Sequence, residues 1–147
     1  MKTIVALVDF SDLTPKVMTQ SQEMANAFNA KVILLHAVPQ VPVMMDLGVA
    51  SPTVREPASD LKKEADYNKL INLRDSLAGS GVDVSVHQLE DGNLESIFGQ
   101  CERLDADLII VGAHHHSTFY NWWVGTCTSD VLKRAHCPVL VVPSDVG

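Results

Sequence analysis

Between Val111 and Thr128 the sequence concentrates residues suited to holding an anion. Gly112 ends an apolar run, histidines follow at 114, 115 and 116, and a second glycine, Gly125, precedes hydroxyls on Thr126 and Thr128. A glycine ahead of a helix lets main-chain amides approach a phosphate, and the free N–H groups and dipole of the helix N-terminus attract it. Thr126 and Thr128 would add donors. The same residues also suit a tight turn at Gly125 followed by a threonine N-cap. Residue types alone leave the two readings open. The histidines make a poor metal centre. Neighbouring side chains of an extended loop point to opposite sides, so only His114 and His116 could share an ion, and no third ligand stands near them.

Catalytic equipment is sparse. No phosphate-loop lysine accompanies Gly125-Thr126, and residues 108–129 contain no Lys or Arg to neutralise a leaving phosphate. No Ser, His and Asp fall on matching loops. The expectation is therefore a binding module, with slow nucleotide hydrolysis as the most it would catalyse.

Residues of this kind need a scaffold, and the periodicity supplies one. Residues 2–9 form a β-branched run ending in Asp9, followed by Thr14, which can cap a helix, and Pro15, which suits its first turn. Val17, Met18, Ser21, Ala25 and Phe28 recur at helical spacing, and Asn29 is a stop signal. Residues 31–38 read as a strand apolar on both faces. A proline-punctuated loop with Pro39, Pro42, Pro52 and Pro57 comes next. Leu61, Ala65, Leu70, Leu73 and Leu77 then mark a charged helix ending at Gly79-Ser80-Gly81. Val82, Val84 and Val86 alternate with polar residues as a third strand closed by Asp91-Gly92. Asn93 can cap a helix whose inner face is Leu94, Ile97, Phe98, Cys101 and Leu104. Residues 107–112 are a fourth strand, a helix is expected around 128–135, and residues 138–143 are a fifth strand. This alternation specifies a single doubly wound, Rossmann-like α/β domain over 1–147 on a mostly parallel sheet. Ligands of such sheets bind beyond the carboxyl ends of the strands, where the winding direction reverses.

Composition narrows the partners. The chain has 147 residues, 46% of them hydrophobic, and a formal net charge of −7. An acidic balance without a basic stripe argues against nucleic acid. No apolar run reaches the roughly 18 residues a bilayer-spanning helix requires, so no membrane role is expected. No cleavable leader is evident, and the expected location is the cytoplasm. Cys101, Cys127 and Cys137 have no metal-type spacing and read as free thiols.

The segments 4–11, 32–38, 107–112, 125–131 and 136–142, in this order and spacing, resemble those of the universal stress proteins over essentially the whole chain. The resemblance implies a five-stranded parallel sheet in the order 3-2-1-4-5 with helices on both faces. It also implies a homodimer formed through the C-terminal edge strand, and a crevice between strands 1 and 4 for ATP, or AMP or ADP, with Mg2+. The nucleotide-binding branch carries Gly-x-x-Gly, nine residues, then Gly-Ser/Thr. Gly112 matches the first glycine, residues 116–124 match the spacer, and Gly125-Thr126 completes the pattern. By the same match Asp9 would contact the ribose or adenine end, and Ala37 would line the adenine with Leu7 beneath it. Gly112, His115, Gly125, Thr126, Cys127 and Thr128 would surround the phosphates.

His115 stands where the motif has its middle glycine. A positive φ at that point would cost a residue with a Cβ roughly 1 kcal/mol or more, though His tolerates it better than most residues and its imidazole can donate to phosphate. A His-His pair after the first glycine resembles the branch without nucleotide binding, whereas Gly125-Thr126 resembles the binding branch. The expected function is an adenine-nucleotide-binding stress-response or signalling module; the alternative is a nucleotide-independent protein of the same fold acting through its dimer and partners.

Overall fold

The computed structural model describes residues 1–37, 60–90, 94–113 and 135–143. Its elements run β1 (Thr3–Leu7), α1 (Thr14–Phe28), β2 (Lys31–Ala37), α2 (Asp60–Ala78), β3 (Val84–Leu89), α3 (Leu94–Arg103), β4 (Leu108–Ala113) and β5 (Val139–Pro143). All five strands are parallel and lie in the order β3-β2-β1-β4-β5, as the family resemblance implies. The order reverses direction between β1 and β4. The loop read at 39–57, the Asn93 cap and the helix expected around 128–135 fall outside the described residues.

A central parallel strand is covered on both faces, and its side chains divide between two cores. Ile4, Ala6 and Val8 of the first strand and its extension join Val32 and Leu34 of β2 and Ile110 of β4 in one core, beneath Val17 and Ala25 of α1 and Leu70 and Leu77 of α2. Val5 and Leu7, with Ile33, Leu35, Ile109 and Val111, face the other core with Ile97, Phe98 and Cys101 of α3. The helices thus lie on both faces of the sheet. Burying a side chain of the size of Leu70 contributes about 1.5–3 kcal/mol. No helix among the described residues is long and apolar enough to cross a membrane.

Local chemistry shifts several expected roles. Thr14 does not cap α1. The cap position is Leu13, with no side-chain cap hydrogen bond, because Ser11 already serves this end: its carbonyl accepts from the Thr14 N–H at 3.0 Å and its Oγ from the Leu13 N–H at 3.3 Å. Thr14 is instead buried in the first turn. Ser21 is tolerated in the core because its hydroxyl donates to the Val17 carbonyl at 2.7 Å. Asn29 ends α1 in the left-handed region at φ 52°, and the chain turns so that Ala30 enters the core while Phe28 is left 49% exposed. On α2 the inward stripe is Asp66, Leu70, Leu73 and Leu77; Leu61 and Ala65 are exposed. The third strand begins two residues later than its valine alternation suggests, although Val82 is buried in the core.

Candidate functional site

The β1–β4 ladder ends at Ala6↔Ile110, while β1 stays paired with β2 through Leu7↔Leu35 and β4 stays paired with β5 through Ala113↔Pro143. Above that level the two central strands part. The split lies at the carboxyl ends of the strands, at the reversal in strand order, which is where doubly wound sheets take their ligands.

Four expected site residues fall within the described part of this edge. Leu7 ends β1 and is 2% exposed within the α3-side core, so it can serve only as a floor. Ala37 ends β2, is half-buried and packs against the same core. Gly112 lies on β4, opposite Val142 of β5. A Cβ on Gly112 would meet the side chains of Leu13 and Val17, so the strand carries glycine where the start of α1 crosses it. Asp9 stands two residues beyond β1, half-buried. Its Oδ1 accepts the Ser11 N–H at 3.0 Å, a local turn that ties the carboxylate to the lip of the split. His115, Gly125, Thr126, Cys127 and Thr128 lie outside the described residues, as do His114 and His116.

Beneath the Asp9 turn lies a cluster that pattern reading passed over. Phe10, the residue after Asp9, has φ 58°, a strained conformation for a bulky side chain. Its ring centroid is 4.5 Å from that of His36, and the Lys69 ammonium lies 5.5 Å from the Phe10 centroid. His36 is 4% exposed, with Nδ1 2.9 Å from the Val8 carbonyl oxygen and Nε2 3.6 Å from Asp66 Oδ2. Asp66 Oδ1 in turn lies 3.9 Å from Lys69 Nζ. Two signals were present in the sequence: His36 interrupts an apolar strand on its core-facing side, and Asp66 sits four residues before Leu70 on the stripe of α2.

A cavity of about 630 Å3 between α1 and α2 borders this cluster, with Phe10, Thr14, Met18, Lys69 and Asn72 in its lining. Its lining contains none of Leu7, Asp9, Ala37 or Gly112. The Thr14 hydroxyl beside it is buried and finds no hydrogen-bond partner among the described residues.

The strongest shifts in acidity lie elsewhere. Burial pushes the Cys101 thiol on α3 up to about 12, with the neighbouring Cys137 adding to the effect. At the amino ends of the central strands, Asp107 Oδ2 accepts the N–H groups of Lys2 and Thr3 at 2.8 and 3.0 Å, and these bonds hold its carboxyl below the ordinary range. Among the described residues no group of three or more His, Cys, Asp or Glu side chains could hold a metal ion.

Comparison with known proteins agrees with the architecture. The chain is 29% identical over 141 residues to universal stress protein MJ0531 of Methanocaldococcus jannaschii, an alignment covering 96% of this chain and 81% of the relative. It superposes on the solved structure of MJ0577, described as a structure-based assignment of biochemical function, with a TM-score of 0.74 and 26% identity, covering 99% of this chain and 98% of the other. A universal stress protein from Archaeoglobus fulgidus, solved in complex with dAMP, matches with a TM-score of 0.65 at 20% identity, covering 97% of this chain and 98% of that one. The sequence model of the universal stress protein family matches residues 1–143, and with the five-stranded order and the split between β1 and β4 this establishes that the chain belongs to the universal stress protein family.

Proposed function

We propose that the chain binds ATP or another adenine nucleotide in the split between β1 and β4, and acts as a stress-response or signalling module whose occupancy alters its dimer or partner surfaces. The observation that carries this reading is the parting of the central strands above Ala6↔Ile110, with Asp9 on one lip and Gly112 on the other. The dAMP complex of the Archaeoglobus fulgidus relative supports an adenine nucleotide as the ligand class.

The residues fit such a group in the following way. Asp9 keeps one carboxylate oxygen on Ser11, and its second oxygen would accept a ribose hydroxyl. Ala37 would flank the base over the floor made by Leu7. Gly125, Thr126, Cys127 and Thr128, with Gly112 and His115, would hold the phosphates through main-chain amides and hydroxyls. Residues 108–129 are without any formally charged Asp, Glu, Lys or Arg in a protein of net charge −7, so a polyanion held there depends on dipoles, and Mg2+ would moderate its charge. Bound nucleotide would be held rather than turned over rapidly, for want of a cation beside the phosphates.

The same family reading makes the protein a homodimer. Among the described residues β5 pairs only with β4, and an apolar edge strand is stabilised by pairing with a second copy. A nucleotide-independent role is the second reading, favoured by His115 at the motif's middle glycine. Thermal unfolding separates the two: nucleotide at a hundred times its dissociation constant should stabilise the fold by about 2.7 kcal/mol. Replacing Gly125 by tryptophan should remove that shift and leave the oligomeric mass unchanged. No shift with millimolar ATP or AMP would favour the nucleotide-independent role.

A further inference from the structure

The cavity of about 630 Å3 between α1 and α2 is within the size range of small-molecule sites. Its lining runs from Thr14 to Gln22 along α1 and from Lys69 to Leu77 along α2. At 1.5 Å per residue each wall is about 12 Å long, so the space is an elongated one. The floor is apolar: Leu77 belongs to the core beneath these helices, and Phe10, Met18 and Leu73 pack against that core.

Two polar groups give the cavity a direction. Thr14 is the first residue of α1 and is 6% exposed, and its hydroxyl finds no hydrogen-bond partner among the described residues. Turning that hydroxyl about χ1 breaks no bond, and an acceptor in the cavity would satisfy a donor otherwise buried without one. Lys69 is the only charged residue in the lining among the described residues. Its ammonium lies 5.5 Å from the centroid of the Phe10 ring, four residues before Thr14, and 3.9 Å from Asp66 Oδ1. The last distance is too long for a hydrogen bond, so the ammonium keeps donors for a further acceptor. One cation and one orphaned hydroxyl thus face a ligand at the Phe10 end, and Met18, Leu73 and Leu77 offer it an apolar surface.

We propose that this cavity is a second ligand site for a small amphipathic carboxylate with an unbranched apolar tail, the form of a medium-chain fatty acid. The tail lies on Met18, Leu73 and Leu77, and the carboxylate accepts from Lys69 and from the Thr14 hydroxyl. A single negative charge matches the single cation of the lining, whereas a cationic head would meet Lys69 as a like charge. The site is independent of the nucleotide reading, and each stands or falls without the other.

Calorimetric titration of the full chain with decanoate, kept below its micelle threshold, tests the proposal beside decyltrimethylammonium, which has the same tail and the opposite charge. The expected result is saturable binding of one decanoate per chain and at least fivefold weaker binding of the cation. Lys69→Gln should weaken decanoate about fivefold, since an ammonium 60% exposed is partly screened, and should leave decyltrimethylammonium no weaker. Leu73→Trp, which fills the cavity, should abolish decanoate binding. If that variant fails to fold, the response of Lys69→Gln decides. In a 1H–15N correlation spectrum decanoate should shift the amides of residues 14–22 and 69–77. Absence of heat, equal affinity for the two tails, or Lys69→Gln and folded Leu73→Trp chains that bind decanoate as the wild type does would overturn the proposal. So would shifts confined to residues 7–9 and 112, which would put the carboxylate in the split.

Discussion

Gly112 lies so close to Leu13 that a Cβ added to it would sit 3.3 Å from both Cβ and Cδ1 of that leucine, and 3.4 Å from Cγ2 of Val17. The glycine proposed to line the nucleotide site thus has a packing duty of its own. Gly112→Ala requires the start of α1 to give by a few tenths of an ångström, and Gly112→Val requires more. Overpacking of this kind costs about 1–3 kcal/mol, so Gly112→Val should lower the urea midpoint accordingly, with Gly112→Ala between it and wild type. Unchanged midpoints would mean that α1 is not seated against β4 as described.

Acid stability should depend on Asp107. Its carboxylate ties the amides of Lys2 and Thr3 to the start of β4, and those bonds lower its pKa in the folded state. A lowered folded value means the contribution is fully present above the ordinary carboxylate range and disappears as pH falls through the folded value. Asp107→Asn should therefore be less stable at neutral pH and should lose part of the acid-side slope in a pH series of urea melts. Parallel wild-type and variant curves would contradict the tether.

Cys101 should be chemically silent in the native protein. It is fully buried, and its thiol is pushed from 9.0 to about 12. The folded state favours the neutral thiol, so the contribution is intact below pH 9.0 and is lost as pH rises toward about 12. In a Cys127→Ser, Cys137→Ser background, iodoacetamide at pH 8 should label Cys101 only at the rate of unfolding, and rapidly in urea. Rapid labelling of the native protein would show that the α3-side core opens.

Much of this fold is legible from residue order. Val32 to Leu35 and Leu108 to Val111 read as strands because a buried parallel strand has no polar face to break the run, and Asn29 and Gly81 mark turns in the left-handed region at φ 52° and 85°. Apolar periodicity misleads where chain geometry intervenes. Phe28 continues the stripe of α1 but lies where the helix ends and Ala30 takes over the core, and Leu61 and Ala65 continue the stripe of α2 past its contact with the sheet. Asp66 occupies that stripe as a charge because its partner, His36, is thirty residues away in sequence, a separation no local pattern encodes. Asp9 could be placed at a strand end from its position alone; the contacts of His36 with Val8 and Phe10 on either side of it exist only once β1 and β2 are assembled.

The edge position of β5 leads to a prediction about assembly. A charge at Val141→Asp, in the middle of that strand, should shift the mass measured by sedimentation equilibrium from dimer to monomer. A wild-type protein that is monomeric at micromolar concentration would contradict edge pairing, as would a dimer indifferent to the substitution.

The central claim is tested most directly by calorimetric titration of the wild-type chain with ATP and Mg2+, beside the Asp9→Ala variant. The account predicts saturable heat with one nucleotide per chain, strengthened by Mg2+, and an affinity about tenfold lower in Asp9→Ala for the loss of a charge-assisted hydrogen bond to ribose. Absence of heat at millimolar ATP, or an affinity that ignores Asp9, would contradict it.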